Sequence, residues 1–151
     1  MAVTAKLYGQ GLMNMGGGSS AGGAPIDWLS DTIKVALCTS TYSPDQDAHD
    51  FFDDITNEVA NGNGYTSGGA TLANKTAGYT SGTNVIKFDG DDVSWTTSTI
   101  TARYAIVYKS SGVASTSPLI AYIDFGADVS STAGTFQITW DAAGIFTITV
   151  A

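Results

Sequence analysis

The chain of 151 residues is long enough for one ordinary domain with a single core. Only 13% of its residues are charged and 43% are apolar, with 18 glycines among abundant serine and threonine, one glutamate, and Lys plus Arg totalling 6. Strands tolerate that mixture and helices do not, which excludes an all-helical bundle. The net charge of -8 argues against a nucleic-acid or anionic-membrane partner, because both require clustered Lys and Arg.

Residues 1–30 read as an N-terminal arm. Lys6-Leu7-Tyr8 and Leu12-Met13 offer a short anchoring stretch. The run from Met15 to Pro25 is then almost entirely Gly, Ser and Ala, too poor in apolar area to order itself. Two readings stand here: a frayed terminus, or an arm that orders when it docks on a partner, with Trp28 as an anchor. The Gly-rich run takes the place of the apolar stretch that a signal peptide needs. No uninterrupted apolar run approaches the roughly 20 residues of a spanning helix. A soluble protein made in a reducing compartment is the expectation.

From residue 31 onward a single β-rich domain is expected. Ile33, Val35 and Leu37 alternate along a first strand. Ser43-Pro44 with acids behind it resembles a helix start, and Ala48, Phe51, Phe52 and Ile55 follow at helical spacing. The spacing predicts one short helix near 44–55. Gly64-Tyr-Thr-Ser-Gly68 recurs as Gly78-Tyr-Thr-Ser-Gly82, and the two copies read as turns at either end of a strand over 70–76. Val85 to Phe88 and Val93 to Trp95 flank Asp89-Gly90, which predicts a hairpin. Farther on, Ile100, Ala102, Tyr104, Ile106 and Tyr108 are expected on one strand face. Similar alternation follows at Leu119 to Phe125, Phe136 to Trp140 and Phe146 to Val150. Seven or eight such strands describe an antiparallel β-sandwich or small barrel.

The catalytic inventory is thin. His49 is the sole histidine, so a triad or a His-based zinc site lacks its parts. Cys38 cannot form an internal disulfide and reads as a small packed thiol rather than a nucleophile. No glycine-rich phosphate loop leads into a helix with a lysine. Asp45, Asp47, Asp50, Asp53, Asp54 and Glu58 form the dominant charge feature, without the spacing of a calcium loop. A solvated acidic face is the expectation, although paired carboxylates of a hydrolase can converge from anywhere in a chain. Trp95 and Trp140 share parity with apolar neighbours and read as core rather than as a sugar-stacking platform. No catalytic residue, metal ligand or cofactor site is predicted.

The run Asp31-Thr-Ile-Lys-Val-Ala-Leu-Cys-Thr39, followed by Tyr42-Ser-Pro-Asp-Gln-Asp-Ala-His-Asp50, is similar to a virion protein of tailed bacteriophages. So are Gly69-Ala-Thr-Leu-Ala-Asn-Lys75, Ile100-Thr-Ala-Arg-Tyr104 and Tyr122-Ile-Asp-Phe-Gly126. The resemblance runs from about residue 31 to the end, and the Gly-rich stretch looks like a local insertion. The family most resembled is that of capsid decoration, or cement, proteins. The resemblance implies a β-rich fold, no enzymatic activity, and assembly onto the outer surface of a shell of major capsid protein. A homo-oligomer is expected, with a trimer favoured over a dimer. Leu7, Tyr8, Leu12, Met13 and Trp28 are the expected capsid or inter-subunit contacts. The alternative is a tail or host-contact protein binding surface glycans through exposed aromatics.

Overall fold

The computed structural model describes residues 2–18 and 25–150; most of the Gly/Ser-rich run, residues 19–24, lies outside the described residues. The elements are, in chain order, β1 (Thr4–Leu7), α1 (Gly9–Met15), β2 (Ile33–Cys38), β3 (Ala70–Thr71), β4 (Thr76–Thr80), β5 (Val85–Asp89), β6 (Val93–Ser98), β7 (Thr101–Lys109), β8 (Leu119–Ser130), β9 (Gly134–Ile138) and β10 (Phe146–Thr149). Every described ladder is antiparallel, so the fold is all-β, as composition and alternation require.

The central sheet has the order β1-β8-β7-β2-β3, with a three-stranded sheet β10-β5-β4 and a two-stranded ladder β6-β9 beside it. The central sheet buries both faces. Ile33, Val35, Leu37, Ala105, Val107 and Ile123 pack on one side with Trp28, Trp95, Phe136 and Phe146. Ala36, Cys38, Ile106, Tyr108 and Tyr122 pack on the other with Tyr8 and Tyr42. That is why β2 and the middle of β7 read as almost continuous apolar runs rather than clean alternations.

The single α-helix among the described residues is α1, not the segment 44–55. There, Asp45 and Asp54 bond nearby backbone amides instead of joining a helix. The Asp45 carboxylate accepts the N–H groups of Asp47 and Ala48, both at 3.0 Å. Phe51 forms an isolated antiparallel bridge with Pro118, which holds the chain extended until a single 3-10 turn at Phe52–Asp54. Helix α1 carries little helical signal in its sequence, because Gly9, Gly11 and Asn14 are all weak helix formers. Gly11 is needed for contact, since a Cβ there would lie 2.2 Å from the Leu119 carbonyl oxygen of β8.

The expected hairpin around Asp89-Gly90 is also absent. Strand β5 pairs with β4 and β10, while β6 pairs with β9, so residues 90–92 carry the chain between sheets. Neither Asp89 nor Gly90 adopts the positive φ that a tight two-residue turn requires. Of the two repeated pentapeptides, the first is a turn, but Gly78, Tyr79 and Thr80 lie within β4. The expected strand over 70–76 is reduced to β3, because the chain turns at Asn74, whose φ is 47°.

Side-chain parity along β7 breaks at Arg103. Ala102 pairs with Val129, but Tyr104 pairs with Asp124, so four β8 residues bulge opposite one. Gly126, at φ 82°, supplies the left-handed conformation within that bulge. Ile100 and Ala102 therefore face the Trp28 side, whereas Tyr104, Ile106 and Tyr108 face the Tyr8 side.

The first thirty residues are built into the domain wherever they are described. All four residues of β1 pair with β8, from Thr4 opposite Asp124 to Leu7 opposite Ala121. The Tyr8 amide donates to Ile120 O at 3.0 Å, and the Gln46 side-chain amide donates to Leu7 O at 2.7 Å. Residues 4–15 thus complete one edge of the central sheet and its covering layer.

Candidate functional site

The five residues expected to anchor an arm separate into two groups. Tyr8 is wholly buried, with its hydroxyl 2.9 Å from that of Tyr42, and burial drives its pKa upward. Trp28 is 4% exposed, packed edge-on against Phe88 and Phe146, and its indole N–H donates to Thr76 O at 3.0 Å. Both are internal core, because an aromatic this large gains most by full burial once its polar atom has a partner. Leu7 is half-buried against the same core. Leu12 and Met13 alone lie open, at 41% and 43% exposure on α1.

The surface that sequence reasoning missed runs along the free edge of β1. A groove of about 650 Å³ is lined by the exposed Val3 and Ala5, the half-buried Phe125 and Trp140, and the core residues Ile123, Phe136, Ile138 and Ile145. A second hollow, of about 410 Å³, continues it past Lys6 and Leu7 toward Phe146 and Thr147. The two meet at Ala5 and Ile145. Val3 and Val129, 64% and 44% exposed, stand at the rim of the larger groove. Apolar surface gathered in one place marks a contact site, whereas single exposed leucines do not. Among the described residues β1 pairs with β8 alone and β10 with β5 alone, and residues of both strands line the smaller hollow. Only pairing information could have revealed the groove: Phe125, Phe136, Ile138 and Ile145 read as residues of the β-rich domain, and Val3 and Ala5 as part of the arm.

Other candidate chemistry is structurally committed. The buried Cys38 thiol is pushed up to about 12 by desolvation and, secondarily, by the Glu58 charge, which disfavours a thiolate nucleophile. Glu58 leaves the acidic run and braces a loop, accepting the Tyr65 hydroxyl at 2.7 Å and the Gly68 amide. His49 stacks on Tyr42, with Nδ1 2.9 Å from the Tyr42 hydroxyl. Among the described residues no three His, Cys, Asp or Glu side chains converge. Trp95 is buried and Trp140 half-buried, with its indole N–H on Asp91 O, so the two tryptophans form no exposed platform.

The carboxylates predict an acid-sensitive fold. Arg103, bonded to Asp124, holds that carboxyl below its ordinary range, and backbone N–H groups of Ala48 and Asp47 do the same for Asp45. The Ser30 hydroxyl and amide lower Asp27. At Asp54, burial raises the pKa, but the amides of Phe51 and Asp50 prevail and lower it. A depressed folded pKa contributes stability above the unfolded value that is lost as pH falls through the folded value. Asp50, raised by burial and by Asp54, acts in the opposite sense but stands alone among the shifted aspartates. Melting temperature is expected to fall as pH drops below about 4. A scanning calorimetry series from about pH 7 to about pH 3 that showed a rise would contradict this.

No protein family, no curated protein and no solved structure matches the chain.

Proposed function

We propose that this protein is a non-enzymatic structural component of a tailed-phage virion that decorates and stabilises the capsid, binding the shell of major capsid protein from outside. The observation that supports the reading is the hollow beside β1, where Val3 and Val129 stand exposed, in a domain whose reactive side chains are otherwise tied down. The sequence resemblance over residues 31 to the end supplies the identity of the partner. The surplus of negative charge favours the outer face of a capsid over its DNA-lined interior. Shells offer local three-fold and two-fold positions, so a trimer, or failing that a dimer, would meet identical contacts.

A protein that binds only the assembled shell stabilises it by mass action, increasingly with concentration. Undecorated heads challenged by heat or low salt are expected to survive better as this chain is added, reaching a plateau at saturation. Equal survival at every concentration would reject the reading.

A further inference from the structure

We propose that His49 is a pH-sensitive latch, holding the β1–α1 segment on the domain while its ring is neutral and loosening it when protonated. Two connections run from the ring to the same place. Through Tyr42, Nδ1 lies 2.9 Å from one hydroxyl, which lies 2.9 Å from the hydroxyl of Tyr8, the residue between β1 and α1. Through the loop, Nδ1 accepts the Asp45 N–H at 3.4 Å, and the next residue, Gln46, clamps the segment on both sides of Tyr8. Its side-chain amide donates to Leu7 O at 2.7 Å, and its carbonyl accepts the Gly9 N–H at 3.1 Å.

The backbone amide of Asp45 fixes the direction of every bond in this chain. An N–H can only donate, so Nδ1 must offer a lone pair, and the neutral ring carries its proton on Nε2. The Tyr42 hydroxyl, facing that lone pair, donates to Nδ1 and accepts from Tyr8. Burial raises both phenols, Tyr42 to about 12, so each oxygen keeps its one proton at neutral and mildly acid pH. Tyr8 is wholly buried and Tyr42 nearly so, which leaves no solvent to satisfy a misdirected O–H.

Imidazole gains its second proton between about pH 8 and about pH 5. A proton on Nδ1 opposes the Asp45 N–H and turns the Tyr42 hydroxyl round, so that it donates to Tyr8. The Tyr8 O–H then has no acceptor among the described residues, and the turn that positions Gln46 loses its tie. Charge does not prevent this: the Asp45 and Asp54 carboxylates lie close enough to attract the imidazolium. Asp47, Asp50 and Asp53 stand on the same loop. Below it, burial keeps the Cys38 thiol of β2 neutral, and Lys6 of β1 stands opposite Tyr122. Arg103 of β7, bonded to Asp124, lies over the Tyr104 ring that meets Tyr42 edge-on. The cation is thus accommodated by charge but not by hydrogen bonding, and acid favours the state in which the segment is loosened.

Amide hydrogen exchange on the intact chain, corrected for the intrinsic pH dependence of exchange, reads the latch at Tyr8 and Gly9, whose amides bond Ile120 O and Gln46 O. Between about pH 7.5 and about pH 5 their protection is expected to fall by about tenfold, the effect of losing one or two hydrogen bonds. The amides of β2 should keep theirs. His49→Asn, whose side-chain oxygen replaces the Nδ1 lone pair without titrating, should hold the protection at both pH values. As the sole histidine, His49 also gives one pair of ring-nitrogen NMR resonances, which should show the neutral ring protonated on Nε2. That spectrum needs no variant, so it tests the latch even if His49→Asn folds poorly. A neutral ring protonated on Nδ1, protection at Tyr8 and Gly9 that does not change with pH, or an equal loss in His49→Asn would overturn the proposal.

Discussion

Truncation of Trp28 to alanine is expected to lower the unfolding free energy by about 3–5 kcal/mol, a large part of a small domain's stability. The indole fills space between Phe88 and Phe146, with ring centroids 5.8 and 5.4 Å away. Alanine would leave a cavity bounded by two aromatic faces and deprive Thr76 O of its donor. Since β5 and β10 are held to the central core partly through these rings, the three-stranded sheet should loosen first. Urea denaturation measures the loss, and hydrogen exchange in β5 locates it. A loss below about 1 kcal/mol would mean that Trp28 is not core but a peripheral anchor. Head-binding assays on this variant would report unfolding, so Trp28 cannot serve to map the contact.

A second substitution decides the status of the N-terminal segment by its sign. Gly11→Ala in a loosely attached helix should stabilise it by up to about 1 kcal/mol, because alanine is the better helix former. In the docked helix the new methyl carbon would meet Leu119 O at 2.2 Å and Ile120 Cα at 3.0 Å. Those are backbone atoms of the longest strand, which cannot rotate away as a side chain could. Overpacking of this kind costs about 1–3 kcal/mol, enough to outweigh the propensity gain. The expected result is therefore destabilisation, with exchange protection lost at Tyr8 and Gly9, whose amides bond Ile120 O and Gln46 O. Stabilisation would return the segment to the role of a tethered arm.

Composition and alternation were sufficient for the fold class, since Thr, Val, Ile and aromatics at period two have few other solutions. Cys38 was legible as a packed thiol, although it sits on the polar parity of β2 with Lys34, because a nucleophilic cysteine needs a cation or histidine beside it. Three features were not legible. The 44–55 segment has helical spacing, but its aspartates cap their own backbone, and local spacing does not register that competition. Parity along β7 failed at Arg103 because a bulge depends on the partner strand, 21 residues away in sequence at Asp124. The hollow beside β1 was hidden for the same reason. Val3, Phe125, Phe136 and Ile145 are far apart in the chain, and only the strand pairing brings them around one hollow.

The measurement that tests the account most directly is a reconstruction of the virion at a resolution that traces strands. The account predicts this domain on the outer capsid surface at regular, symmetry-related positions, with the exposed Val3 and Val129 beside β1 at its contact with the shell. Absence of the domain from the head, or its presence in the tail with the β1 edge facing solvent, would contradict it.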